Sequence, residues 1–155
     1  MSESTVIFDQ DTTSETFPVF GYELLRETLL PEILGEETPK ILYWAGKHIA
    51  RKYPLDSISD IINFFQQAGW GELQIVKESN SELMAELSSD IITKRIKSKE
   101  STNFQLEAGF LAQQIERQKA VVTETFEHPR KRSTKVQFTI KWDKKDLFNM
   151  MKGSY

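Results

Sequence analysis

The 155-residue chain contains no cysteine. Counting alone therefore removes disulfides, thiolate zinc sites, iron–sulfur clusters and a cysteine nucleophile. Histidine is almost as scarce, and the two present, His48 and His128, form no HxxxH, HExxH or HxH pair that would bring two imidazoles to one metal. Neither a metal nor a cofactor is expected. The Gly-x-Ser-x-Gly elbow of hydrolases is missing. Gly69-Trp70-Gly71 is too short for a phosphate loop and lacks the Lys-Ser or Lys-Thr that holds phosphate and magnesium, so it reads as a turn. With no nucleophile and base set at a telling spacing, the chain is not expected to be an enzyme. No run approaches the ~20 apolar residues of a membrane span. The opening MSESTVIFDQDTTSETFPVF is acidic and polar where a secretory signal is basic and then apolar. The expectation is a cytoplasmic protein. A formal charge of -3 supplies no global attraction to nucleic acid, which is not expected as a partner.

What is present is the material of a packed core. Hydrophobic residues make up 39% and charged residues 28%, with ten Phe and three Trp, which argues against disorder. The length suits a single domain. The organisation expected is a mobile arm over 1–17 with an apolar island at Val6-Ile7-Phe8, one domain over 18–150, and a short tail over 151–155.

Phe20, Leu24, Leu25, Leu29 and Leu30 recur at helical spacing and predict a helix near 20–30 that Pro31 breaks or restarts. Thr38 as a cap and Pro39 at the first position open a second helix over 39–53, with Leu42, Ala45, Gly46 and Ile49 along one side. Ser57, the i, i+3, i+4, i+7 set Ile58, Ile61, Ile62, Phe65, and Gly69 behind them define a third. Period-two runs on either side of Glu78-Ser79-Asn80-Ser81 predict a β-hairpin. A short helix over 89–97 follows. Asn103 then caps a long helix to about residue 118, with the stripe Phe104, Ala108, Leu111, Ile115 and with Gly109 and Ala112 as small positions where another backbone can approach. Strands are predicted over 120–127 and 135–142, the second alternating Val136, Phe138, Ile140 and Trp142 with polar residues. The fold class is α+β, an antiparallel sheet of about four strands packed against four to five helices.

Several groups carry both a structural and a functional reading. His48 is a helix residue, either a structural or surface histidine or a ligand or general base. The run Arg130-Lys131-Arg132 with Lys135 is either a solvated hairpin tip, the reading that the overall negative charge favours, or a contact for phosphate, nucleic acid or an acidic protein partner. Alternation through Ala120, Val122, Glu124 and Phe126 puts the Glu124 carboxylate on a face with three apolar residues, where it needs a partner or a raised pKa if that face is buried. The alternative is that the strand bulges or that Val121 faces inward. The aromatic residues Tyr43, Trp44, Trp70, Phe104, Phe110, Phe126, Phe138 and Trp142 either fill a core or line a cavity.

The segments Leu42-Tyr43-Trp44-Ala45-Gly46-Lys47, Phe65 to Gly71, Phe104 to Ala112, Glu124-Thr125 and Val136-Gln137-Phe138-Thr139-Ile140 resemble the vinyl-4-reductase-type domain. That domain is related to the subunits of TRAPP vesicle-tethering complexes, and the chain resembles most closely its YslB-like family of Gram-positive bacteria. The resemblance spans about residues 20–142. Many members of the wider superfamily carry cysteines near the positions of Phe104, Glu127 and Val136 that contribute to a metal site. This chain has none, and the metal does not transfer. The resemblance implies a curved antiparallel sheet against helices, used elsewhere to hold hydrophobic small molecules or acyl chains and to pair with like domains. On that basis the expected function is a binding or interaction module, a homodimer with an apolar pocket between the long helix and the sheet, lined or shaped by Trp44, Gly46, Phe104, Gly109, Phe110 and Glu124. The alternative is a scaffold or adaptor that contacts a protein partner and holds no ligand.

Overall fold

The computed structural model describes residues 16–98, 102–129 and 134–143. The Val6-Ile7-Phe8 island, the basic run at 130–132 and the tail over 151–155 lie outside the described residues. Helix α1 spans residues 19–34 and is built from α-helical Val19–Glu23, a wide π-helical stretch Leu24–Leu29 and α-helical Leu30–Leu34. After a 3-10 turn at Gly35–Glu37 come α2 (Thr38–Lys52) and α3 (Ile58–Gln67). The hairpin is β1 (Glu72–Glu78) and β2 (Glu82–Ser88), followed by α4 (Asp90–Ser98), α5 (Gln105–Lys119), β3 (Thr123–Glu127) and β4 (Val136–Trp142). The strands make one antiparallel open sheet in the order β1-β2-β4-β3, the α+β architecture that the sequence pattern predicts.

Local chemistry explains most of the element ends. The Ser57 hydroxyl accepts the Asp60 amide at 3.1 Å at the start of α3, and Gly69 behind it takes a φ of 73° that a side chain would resist. Three ends differ from expectation. Pro31 does not break α1: the turn ahead of it widens to π spacing, one of the ways a helix adjusts around a residue that lacks an N–H, and the helix ends instead at Gly35, φ 75°. Thr38 lies inside α2 rather than capping it, and its hydroxyl donates back to the Gly35 carbonyl. Strand β3 begins at Thr123 rather than 120, because Ala120 closes α5 in the left-handed region at φ 56°. Asn103 does serve the start of α5, with its Oδ1 accepting the Gln105 amide at 3.1 Å from one residue before the cap.

Helices α2 and α5 run side by side in the same direction and cross where both are glycine. A Cβ at Gly46 would sit 2.1 Å from the Leu106 carbonyl oxygen, and one at Gly109 1.8 Å from that of Tyr43. The close approach anticipated at Gly109 is therefore real, with Gly46 as its counterpart. Gln114 of α5 ties the far end down, accepting the Leu55 amide at 3.0 Å and donating to the Tyr53 carbonyl at 2.8 Å.

Between this pair and the sheet the core is filled. Phe104 at the cap of α5 and Phe110, Leu111 and Ile115 within it share one cluster with Leu83, Leu87, Val136, Phe138 and Ile140 of the sheet. Phe110 stacks on Phe64 at 4.6 Å and meets Trp70 edge-on at 5.2 Å.

Candidate functional site

Two regions break the ordinary pattern of apolar inside and polar outside. The first is α1. Its one buried residue is Arg26, whose guanidinium grips the Glu107 carboxylate of α5 at both ends, Nη1 to Oε2 at 3.0 Å and Nη2 to Oε1 at 2.7 Å, with side-chain exposures of 4% and 0%. Arg26 Nη1 also donates to the Tyr22 hydroxyl at 3.2 Å. A second pair lies alongside: buried Arg95 of α4 donates to Glu27 Oε2 through Nε at 2.9 Å and reaches the Asn103 carbonyl at 3.1 Å. The Thr102 hydroxyl donates to the other oxygen of Glu27 at 2.7 Å, and the Arg95 guanidinium lies 4.3 Å over the Phe104 ring. Two guanidiniums and two carboxylates thus fasten α1 to α4 and α5 through bidentate and charge-assisted hydrogen bonds.

The electrostatics follow from that geometry. Burial by itself would raise the Glu107 carboxyl, but the charge and hydrogen bonds of Arg26, with Arg95 beyond it, outweigh burial and hold it below the ordinary carboxylate value. Arg26 behaves in mirror image. Burial disfavours its charge, Glu107 favours it more strongly, and the net direction is upward. Burial raises the Tyr22 phenol, partly opposed by Arg26. Above this clasp opens a cleft of about 450 Å³ with Arg26, Glu27, Thr102 and Asn103 in its wall and Pro31, Glu32, Glu36 and Pro39 around it.

With charge turned inward, α1 turns its apolar residues outward. Phe20, Leu24, Leu25, Leu29 and Ile33, with Phe17 just ahead of the helix, are 44% to 68% exposed, although Phe20, Leu24, Leu25 and Leu29 belong to the stripe that predicts the helix.

The second region is the seam between α2, the start of α5 and β3. Strand β3 is also inverted: Thr123 and Thr125 are buried while Val122 and Phe126 are more than half exposed. Pairing explains the phase. Thr125 stands opposite Ile140 and Thr123 opposite Trp142, and opposed residues share a face, so the apolar alternation of β4 fixes the threonines inward. Glu124 does share a face with Val122 and Phe126, but that face is the outer one and its side chain is 51% exposed. The inward Glu124 is thereby corrected, and Val121 is the residue that points in.

As an edge strand, β3 needs partners for its outward amides. Thr123 N–H donates to Glu116 Oε1 and Thr125 N–H to the Tyr43 hydroxyl, both at 3.1 Å. The Tyr43 hydroxyl in turn donates to Glu124 Oε1, and the Lys47 ammonium lies 3.5 Å from Oε2 and 5.0 Å over the Tyr43 ring. Burial first, then the bond to Glu124, push the Tyr43 phenol pKa upward. A depression of about 410 Å³ opens here, lined by Pro39, Lys40, Tyr43, Gln105, Glu124, Thr125 and Phe126. Among the described residues, the Thr125 hydroxyl is the buried side-chain group without a hydrogen-bond partner.

Of the site residues expected from the sequence, Phe104 and Phe110 lie in the core, Gly46 and Gly109 at the helix crossing, and Trp44 and Glu124 outside. The Trp44 ring packs 4.0 Å from His48. His128 shares a hydrogen bond with Thr139. Among the described residues no group of three His, Asp or Glu is placed to hold a metal, and no helix is long and apolar enough to cross a membrane. The Arg26–Glu107 clasp was missed by pattern reading. One signal was available: Glu107 falls three residues after Phe104 and four before Leu111, on the helical stripe itself.

The family model described as "Protein of unknown function (DUF2507)" matches residues 19–141, nearly all of the described chain. The chain belongs to the DUF2507 family. Its similarity to the uncharacterized protein YslB of Bacillus subtilis (strain 168) is 46% identity over 127 residues, covering 82% of this chain and 86% of that protein. Among solved structures this DUF2507 chain is similar to a vinyl-4-reductase family protein from Methanocaldococcus jannaschii, with TM-score 0.64, 21% identity and coverage of 84% and 85% of the two chains. It is also similar to an Fe(II) unliganded H-NOX protein from K. algicida, with TM-score 0.55, 14% identity and coverage of 88% and 80%. At those identities the likeness is one of fold. It bears out the resemblance drawn from the sequence to the YslB-like family and to the vinyl-4-reductase-type domain.

Proposed function

We propose that this chain is a non-enzymatic docking module whose α1 face pairs with a second copy of the chain. One observation carries the reading: α1 is held by buried charge and offers five large apolar side chains to the outside, with Phe17 just ahead of it. Contiguous exposed apolar surface of this kind marks protein contacts. A second copy fits because the surface is self-complementary in charge. Glu32, Glu36 and Glu37 flank the end of α1, and Lys40, Arg51 and Lys52 are exposed on α2. A two-fold axis would set each acidic flank against the other copy's basic one. A hydrophobic molecule or acyl chain between α5 and the sheet is the weaker reading, since Phe104, Phe110 and their neighbours occupy that space. The non-enzymatic reading is supported by the polar groups being tied up in structural bonds, Glu124 with Tyr43 and Lys47 and His128 with Thr139. A cytoplasmic setting belongs to the same proposal and is supported by the absence of cysteine.

Sedimentation equilibrium of the full chain and of Leu25→Glu/Ile33→Glu tests the reading. Both substituted side chains are already exposed, so the fold, followed by far-ultraviolet circular dichroism, should persist. The expected result is a wild-type dimer and a folded monomeric variant. A wild-type monomer at high micromolar concentration, or a variant that dimerises equally well, refutes pairing through α1.

A further inference from the structure

Helix α2 carries charge of one sign. Its 15 residues include Lys40, Lys47, Arg51 and Lys52 and no Asp or Glu, in a chain whose formal charge is -3. Lys40, Trp44, His48, Arg51 and Lys52 are all exposed, and their spacing sets them along one side of the helix. Trp44 stands in the middle of that side, 60% exposed, with its ring 4.0 Å from that of His48. Lys40 lies 3.5 Å from Glu37 in an exposed pair of little worth, and Lys47 lies 3.5 Å from Glu124. Arg51 donates to the neutral Gln113 side chain at 3.3 Å. Among the described residues, neither Arg51 nor Lys52 forms an ion pair. An indole with uncommitted cations beside it fits an apolar side chain flanked by carboxylates.

The chain itself supplies such a segment. Residues 1–15, outside the described ones, hold Glu3, Asp9, Asp11 and Glu15, no Lys or Arg, and the apolar triplet Val6-Ile7-Phe8 between Glu3 and Asp9. The residues from Asp9 to Thr16 can span up to about 28 Å, roughly twice the radius of gyration of about 14 Å expected of a domain of this size. The surface of α2 is therefore within reach of the triplet. The apolar face of α1 is the competing surface, but Glu23, Glu32, Glu36 and Glu37 border it, and its one cation, Arg26, is buried against Glu107. An acidic arm is repelled there and attracted to α2.

We propose that the arm over residues 1–15 lies along α2 of its own chain, with the Val6-Ile7-Phe8 triplet against Trp44 and with Asp9 and Asp11 against Arg51 and Lys52. The docking does not rest on pairing through α1. It bears on that pairing, because the acidic flank of a second copy would use the same cations and the docked arm competes with it.

The full chain has no cysteine, so Ser4→Cys gives a single site for a nitroxide label, and the loss of backbone-amide NMR intensity around the label maps where the arm lies. The map is taken on the wild type and again on Leu25→Glu/Ile33→Glu, so that displacement of the arm by pairing is separated from a failure to dock. The expected result is loss of intensity concentrated on residues 40–52 and absent when spin-labelled chain is mixed with separately isotope-labelled chain. In about 1 M salt, where the Debye length is about 3 Å, that loss should shrink by about half or more. Trp44→Ala and Arg51→Glu/Lys52→Glu change exposed side chains, so the fold should persist while the loss on α2 shrinks as it does in salt. Intensity loss centred on α1 in the wild type or around residues 130–132, equal loss in the mixed sample, loss on no particular surface in either chain, or indifference to salt and to both α2 variants overturns the proposal.

Discussion

Removing one member of the Arg26–Glu107 pair tests how α1 is attached. Both side chains are buried, 4% and 0% exposed, and joined by two hydrogen bonds of 2.7 and 3.0 Å. Arg26→Met leaves the Glu107 carboxylate inside the protein without its main counter-charge. Breaking a buried pair in this way costs about 3–5 kcal/mol, a large part of a typical total of about 5–15 kcal/mol. Arg95 also favours the charged form of Glu107, which places the expected loss nearer 3 than 5 kcal/mol by the same reasoning, read as a fall of roughly 6–12 °C in Tm for a domain of this size.

The double variant Arg26→Met/Glu107→Leu removes both charges together and should recover most of that loss, because the stability of the single variant falls through an orphaned charge and not through lost volume. Urea denaturation of the wild type, both singles and the double supplies the cycle. A loss below about 1 kcal/mol for Arg26→Met, the worth of an exposed pair, refutes the buried clasp, and so does a double variant weaker than either single. The pH dependence has a fixed sign. Glu107 has a folded pKa below its unfolded value, so its stabilisation is complete above the ordinary Glu value of about 4.3 and is lost as pH falls through the folded value. Glu107→Gln should therefore flatten the acid limb of stability below about pH 4.

Gly109→Ala should destabilise although alanine is the better helix former by about 1 kcal/mol. Its Cβ would lie 1.8 Å from the Tyr43 carbonyl oxygen, forcing α2 and α5 apart at a cost of about 1–3 kcal/mol or more; thermal denaturation checks it, and a raised Tm contradicts the crossing. Tyr43→Phe leaves the edge amide of Thr125 without its acceptor and should cost about 1–2 kcal/mol in urea denaturation. The same change should delete a late-titrating phenol from the ultraviolet absorbance, since the folded Tyr43 pKa is raised and the stability tied to it persists up to the ordinary value of about 10 and declines above it.

The sheet was the most legible part of the sequence. Val136, Phe138 and Ile140 alternate with polar residues and are all buried, and Ser57 and Gly69 mark the ends of α3 as their chemistry requires. Those features depend on residues a few positions apart. The face that β3 presents does not, because it is inherited from β4 across the ladder. With Thr, Glu and Thr between Val122 and Phe126, the strand's own alternation favours the opposite phase. The position of Glu124 was therefore unreadable until its partner strand was known.

Helix α1 fails the same kind of reading for a different reason. Periodicity identifies which side chains share a face, but burial depends on what lies opposite each face. Here the surface opposite α1 supplies Glu107, Arg95 and the Asn103 carbonyl, and an apolar stripe packed on those groups would leave charges buried without partners. Arg26 answers Glu107 and Glu27 answers Arg95, so the charged face turns inward and Phe20, Leu24, Leu25 and Ile33 are left outside. The same arrangement explains why the exposed face is not a packing defect that a small rotation of α1 could repair. Rotating the helix would bury leucines at the expense of two ion pairs, the bidentate Arg26–Glu107 pair and the Arg95–Glu27 pair, each worth more in place than broken. Under the proposed pairing, a second copy carrying the same apolar face and an α2 flank of opposite charge would cover that surface without disturbing either ion pair.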